Sequence, residues 1–173
     1  MIKLYKPCKS VVESIDFFEE NEINSIIDYG AGKLKNSIYL SERGFEVYAV
    51  DKMEQLERSK RYYSNIKLKG LIDYNKISSY DLKVDLVISN FVLNIIEGVE
   101  IRIRYIDNSY FKLKTGGCLL IEVRRRRGIT PKSCNKAFNQ NELNELVLSR
   151  GFNLIKSRYS KYSLVGLYIK ASN

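Results

Sequence analysis

The feature that most constrains this chain is an alternation, from end to end, of short apolar runs and helix-period segments. Residues 10–21 place Val11, Ile15 and Phe18 at helical spacing. Residues 24–29 form a short apolar run that ends at a glycine turn, as a buried parallel strand does. Residues 35–43 read as a helix anchored by Ile38 and Leu40, with Gly44 just past its end. Glu46–Asp51 is a second strand, 53–63 a helix, and Leu71–Tyr74 a short third strand. Val84–Asn90 is a strand, and residues 98–114 carry Val99, Ile103, Ile106, Tyr110 and Leu113 along one helical face. Gly116–Gly117 turn into a strand at Cys118–Val123; a helix over 140–149 is capped by Gly151; strands near 152–158 and 163–169 close the chain. Strict alternation means a mostly parallel sheet with helices on both faces. The last two strands are joined by too few residues for a helical crossover, so one of them runs antiparallel. The whole chain, 1–173, is expected to form a single domain, with a helical segment over 1–22 and an α/β core over 23–170.

Composition narrows the chemistry. The chain has no histidine, which excludes Ser-His-Asp and Cys-His catalysis, a histidine base and every His-containing zinc site; no metal is expected. Cys8, Cys118 and Cys134 lie far apart and cannot all pair, which points to a reducing, cytoplasmic setting. No apolar run reaches the roughly 18 residues of a membrane span, so no membrane partner is expected. With 29 Lys+Arg against 20 Asp+Glu the net charge is +9, and it is unevenly placed. Residues 1–51 carry six basic and nine acidic side chains, whereas residues 101–136 carry ten and two. That stretch is either a solvated basic surface or a docking face for a polyanion.

The first βα junction reads D-Y-G-A-G, Asp28 to Gly32. Two glycines one residue apart allow a tight turn and close approach of a ligand to the backbone, and the helix beyond adds free N–H groups. A dinucleotide fingerprint needs a third glycine at 33, which is Lys33, so that motif fails. Asp51 ends the second strand 19 residues after Gly32, where a carboxylate can accept from both hydroxyls of a ribose or can serve an ordinary helix start. Ser89 and Asn90 end the strand at 84–90.

With these residues the chain resembles the class I S-adenosylmethionine-dependent methyltransferases, over roughly residues 10–170. The matching features are Asp28 with Gly30 and Gly32, the acidic strand end Asp51, the D-L-V-x-S-N strand Asp85–Asn90, the glycine pair Gly116–Gly117 and the closing hairpin. The resemblance implies a doubly wound seven-stranded sheet of order 3-2-1-4-5-7-6 with strand 7 antiparallel, and S-adenosyl-L-methionine as cofactor. It implies that Gly30, Ala31 and Gly32 pass the methionine and ribose portion, and that Asp28 orders this loop or contacts the methionine amine. Asp51 would hold the ribose, Lys52 and Met53 would flank the adenine, and Asp73 would meet its amino group. Ser89 and Asn90 would border the sulfonium and the acceptor, and they are the catalytic candidates. Many members have a glycine where this chain has Leu34, a change that would narrow the methionine pocket or be ordinary variation. V-L-N-I-I, Val92–Ile96, is similar to small members carried by phages and DNA-modification loci.

The acceptor is less constrained. After Asn90 the chain reads F-V, without the prolines of exocyclic-amine DNA methylation, and no Pro-Cys dipeptide other than the N-terminal Pro7–Cys8 offers a cytosine nucleophile. Arg124, Arg125, Arg126 and Arg127 follow the fifth strand on the ligand side and form a candidate acceptor-binding element for phosphate. The expected activity is methyl transfer to nucleic acid or another anionic acceptor. The alternatives are a small-molecule methyltransferase and a non-catalytic module that binds cofactor or nucleic acid.

Overall fold

The structure, a computed structural model, describes residues 6–63 and 65–172. The chain forms two compact units that divide after Val84. The first unit holds helices α1 (Lys9–Val12) and α2 (Ile15–Glu20), strand β1 (Ser25–Tyr29), helix α3 (Lys35–Glu42), strand β2 (Glu46–Asp51), helix α4 (Met53–Lys60), strand β3 (Gly70–Asp73) and a 3-10 turn at Tyr74–Ser79. Strand β4 (Val84–Asn90) starts at the boundary, and the second unit continues with helix α5 (Val99–Lys112), strand β5 (Leu113–Arg124), helix α6 (Gln140–Leu148) and strands β6 (Phe152–Tyr159) and β7 (Ser163–Lys170). The seven strands form one sheet in the order β3-β2-β1-β4-β5-β7-β6. β1, β2 and β3 pair in parallel, and β7 runs antiparallel to both β5 and β6, as the short final connection requires. Among the described residues no helix is long and apolar enough to cross a membrane.

Three elements depart from the periodicity. The helix expected over 10–21 is broken at Glu13–Ser14. Ser14 turns its hydroxyl back onto the Ser10 carbonyl at 2.7 Å, a bond that bends or interrupts a helical turn. α5 exists, but its buried side carries Arg102, Tyr105, Ile106, Ser109 and Lys112, while Val99 is 61% exposed. The apolar stripe misplaces the face because Arg102 goes inward: it donates from Nε to the Leu93 carbonyl at 3.1 Å and from Nη2 to that of Ile96 at 2.5 Å. Burial lowers its pKa. Strand β5 starts at Leu113, before the glycine pair rather than after it. The remaining elements agree with the sequence to within three residues, the largest difference being the end of α4.

The core of the first unit explains its loop. Ala31, Leu34, Ala49 and Leu56 pack into one cluster, with Ile38, Met53, Tyr63 and Leu71 against it. Leu34 is fully buried and has φ +62°, a left-handed conformation that costs a residue with a Cβ about 1 kcal/mol or more. Burying a leucine returns roughly 2 kcal/mol, so packing can hold this position where a glycine would need no help. In the second unit α6 begins with a reciprocal cap: Asn139 accepts from the Glu142 N–H at 2.9 Å, and Glu142 accepts from the Asn139 N–H at 2.9 Å.

Candidate cofactor-binding site

In the first unit the carboxyl ends of three parallel strands lie side by side. Asp51 of β2 is the register partner of Asp73 of β3, and Asp28 of β1 that of Ala49. The loop after β1 turns at Gly30 (φ +86°) and Gly32 (φ +52°), angles that glycine takes at little cost. It is tied down from one side. The N–H groups of Gly30 and Ala31 both donate to the Val50 carbonyl, at 2.7 and 3.0 Å, and the Gly32 N–H donates to Asp51 Oδ2 at 2.7 Å. The Gly32 carbonyl accepts from Ser59 Oγ at 2.8 Å and Gln55 Nε2 at 3.1 Å, and Tyr63 Oη donates to the Lys33 carbonyl at 2.9 Å.

Asp28 and Asp51 divide the work. Asp28 is buried, and its Oδ2 accepts from Ser37 Oγ at 2.6 Å, so its visible role is to tether α3 to the end of β1. Burial pushes its carboxyl up to about 6; the Ser37 bonds pull the other way, and the neighbouring charge of Asp51 adds to the rise. Asp51 is half-buried, and its second oxygen accepts from the Lys52 N–H at 2.7 Å. It closes the glycine loop and orders the start of α4 with one carboxylate. Lys52 is exposed at that helix start, while Met53 packs against the Leu34 cluster. Asp73 caps the 3-10 turn by accepting from the Asn75 N–H at 2.9 Å. Leu34 points into the core, so the substitution is absorbed by packing.

The second unit separates the two catalytic candidates. Ser89 is fully buried, and its hydroxyl accepts from Tyr105 Oη at 2.8 Å, which makes it a core polar residue. Asn90 is half-buried and donates from Nδ2 to Glu122 Oε2 at 2.9 Å. Next to it Phe91 takes φ +60° and stays 40% exposed. Asn94, which is buried, accepts from the Arg124 N–H at 2.7 Å and donates to the Lys136 carbonyl at 2.7 Å, bracing the chain after β5 against the turn after β4.

The arginine run is largely spoken for by its own unit. Arg124 lies over the Tyr162 ring at 5.2 Å and Arg125 over Tyr159 at 4.4 Å, with Arg125 Nη1 also donating to the Ser160 carbonyl at 3.0 Å. Arg126 pairs with Glu142 at 2.9 Å, which Lys136 joins at 3.3 Å. Arg127 is exposed. The four arginines therefore stand in four different settings. Sequence reasoning missed Ser37, Gln55, Ser59, Tyr63 and Glu122; only the spacing of Gln55 and Ser59, four apart on one helix face, hinted at two of them.

Solved structures with the same architecture are numerous. A 1,6-didemethyltoxoflavin-N1-methyltransferase from Burkholderia thailandensis, crystallised with 1,6-didemethyltoxoflavin and S-adenosylhomocysteine, superposes with TM-score 0.74 at 18% identity over 95% of this chain and 79% of that one. An S-adenosylmethionine-dependent methyltransferase from Clostridium acetobutylicum gives 0.76 at 14% identity, with 95% and 92% covered. One from Methanosarcina mazei gives 0.76 at 16%, with 98% and 100% covered. At these identities the likeness establishes the class I methyltransferase fold. No curated protein sequence matched the chain. The family described as tellurite resistance protein TehB matches residues 3–160, most of the chain, and this protein belongs to that family.

Proposed function

We propose that this protein binds S-adenosyl-L-methionine on the glycine loop of its first unit and transfers the methyl group to a small anionic acceptor. The observation that carries the reading is the 2.7 Å bond from the Gly32 N–H to Asp51, which joins the glycine loop and the acidic strand end into one element. The donor set fits the group. An ionised carboxylate offers about four lone-pair sites; two on Asp51 are used by Gly32 and Lys52, and the others can take ribose hydroxyls. Gly30 and Gly32 leave the backbone open to close approach, and Asp28 holds the loop from behind through Ser37.

When bound, the cofactor supplies an electrophilic methyl on a cationic sulfur. The protein's part is to orient the ribose through Asp51 and to hold the acceptor in line, because positioning supplies much of the rate in such a displacement. Of the two catalytic candidates Asn90, held by Glu122, is the more open to a ligand, since Ser89 is buried. Two names support a small acceptor: the family description, which speaks of tellurite, an oxyanion, and the 1,6-didemethyltoxoflavin bound by the Burkholderia enzyme. A nucleic-acid acceptor is the second reading, supported by the ten basic and two acidic residues of 101–136.

Titration calorimetry with S-adenosylmethionine tests the first step, and absence of heat at millimolar cofactor would overturn it. Transfer of labelled methyl into tellurite, a metabolite extract, DNA or RNA then decides the acceptor. Label in nucleic acid alone would displace the small-acceptor reading.

A further inference from the structure

The closing hairpin carries a surface that the methyl-transfer reading does not use. Between Glu145 and the end of the chain there is no acidic residue, and between Glu122 and Glu142 there is none either. These two acid-free segments meet: β5 and β7 pair with Arg124 opposite Ser163, and the Arg125 N–H donates to the Tyr162 carbonyl at 2.9 Å. At the tip of the hairpin Tyr159 and Tyr162 are 70% and 50% exposed. Each ring is backed by a cation: Arg125 lies 4.4 Å from the centroid of Tyr159, and Arg124 and Lys161 each lie 5.2 Å from that of Tyr162. Arg125 is held a second time by the Ser160 carbonyl, so its stack on Tyr159 is fixed before any ligand arrives. Arg127, Lys156 and Lys161 are exposed nearby in sequence.

Exposed aromatic rings interleaved with guanidinium groups, on two segments that contain no acidic residue, match one ligand chemistry well. Successive bases of a single strand stack on aromatic faces while cations track the phosphates. A duplex hides its base faces and offers only its backbone. An acidic peptide would use the charge but leave two large rings in water. We propose that the β6–β7 hairpin tip, through Tyr159 and Tyr162 with Arg124 and Arg125, is a binding surface for single-stranded nucleic acid. It does not depend on the cofactor assignment.

The test is fluorescence anisotropy of the full chain with a labelled oligo(dT) of about 12 nucleotides, inside the roughly 4–16 nucleotides that a single-strand-binding OB fold covers. A duplex of the same length and vesicles rich in phosphatidylserine are the comparison probes. The single strand is expected to bind more tightly than the duplex, with affinity falling as salt rises. Replacing both tyrosines, Tyr159→Ala with Tyr162→Ala, should weaken single-strand binding by about tenfold or more, as loss of a stacked base does. The double phenylalanine variant should retain it. Both rings are exposed, so the variants should keep the circular dichroism and S-adenosylmethionine affinity of the parent, which separates this result from failure of the cofactor reading. The proposal is overturned if the single strand does not bind, if single strand and duplex bind alike and the alanine variant changes neither, or if only the vesicles bind.

Discussion

The strand ends of β2 and β5 carry opposite charge and solve opposite problems. Asp51 ends β2 half-buried and spends its carboxylate on backbone N–H groups, fixing the main chain of a loop. Arg124 ends β5, and with Arg125 and Arg126 just beyond it spends guanidinium groups on rings, a carbonyl and a carboxylate, fixing side chains at a surface. The first arrangement fixes backbone, and one changed residue should be felt throughout the loop. The second is distributed, and single changes should be absorbed.

The largest expected effect lies beneath the acidic end. Leu34→Ala should destabilise the protein by about 3 kcal/mol in urea unfolding, since it empties a fully buried site without relieving the left-handed backbone. A loss under 1 kcal/mol would mean that the loop, not the core, holds Leu34 in place.

Asp28 comes next and has a pH signature. Its carboxyl is raised from 3.8 to about 6 by burial, so the folded state binds the proton more tightly than the unfolded chain. Stability from this group is fully present below about pH 4 and is lost as pH rises through about 6, by roughly 1.4 kcal/mol for each pH unit between. Asp28→Asn, which still accepts from Ser37, should flatten unfolding free energy across pH 4–6. An unchanged slope in that window would remove the buried-acid account.

Asp51→Ala should weaken S-adenosylmethionine binding by about ten- to a hundredfold in calorimetry, the worth of hydrogen bonds to a charged group. Unchanged affinity would refute the ribose role. At the basic end, Arg126→Ala should cost up to about 1 kcal/mol by loss of the Glu142 pair, and Arg127→Ala less than about 0.5 kcal/mol. If Arg127→Ala proved as costly as Asp51→Ala for cofactor binding, the contrast between the two strand ends would fail.

What could be read from the residues depended on how local the cause was. β2 and β4 were legible to the residue because their apolar runs have no competing helical period, and Gly30, Gly32 and Asp51 because few residue types suit their positions. The partners of the loop were not legible. Ser59 reaches Gly32 across 27 residues and Gln55 across 23, and nothing in a serine or glutamine announces a distant carbonyl. The apolar stripe of α5 misled because Arg102 buries its side chain to satisfy the loose carbonyls of Leu93 and Ile96, a need created by the neighbouring turn. The break at Ser14 escaped for the same reason: the hydroxyl's choice of the Ser10 carbonyl is conformational, not compositional.

The left-handed leucine has a consequence for how this protein could be engineered. A glycine at position 34 would remove the loop's side-chain anchor in the core and leave its hydrogen bonds to Val50, Asp51, Gln55, Ser59 and Tyr63 to hold it. With leucine there, the loop is a lever whose short arm is in the hydrophobic core, packed with Ala49 and Leu56. On the proposed cofactor reading, sequence drift at Leu56 or Ala49 would then retune cofactor affinity. Directed evolution for affinity should accordingly recover aliphatic core changes alongside changes at the strand ends.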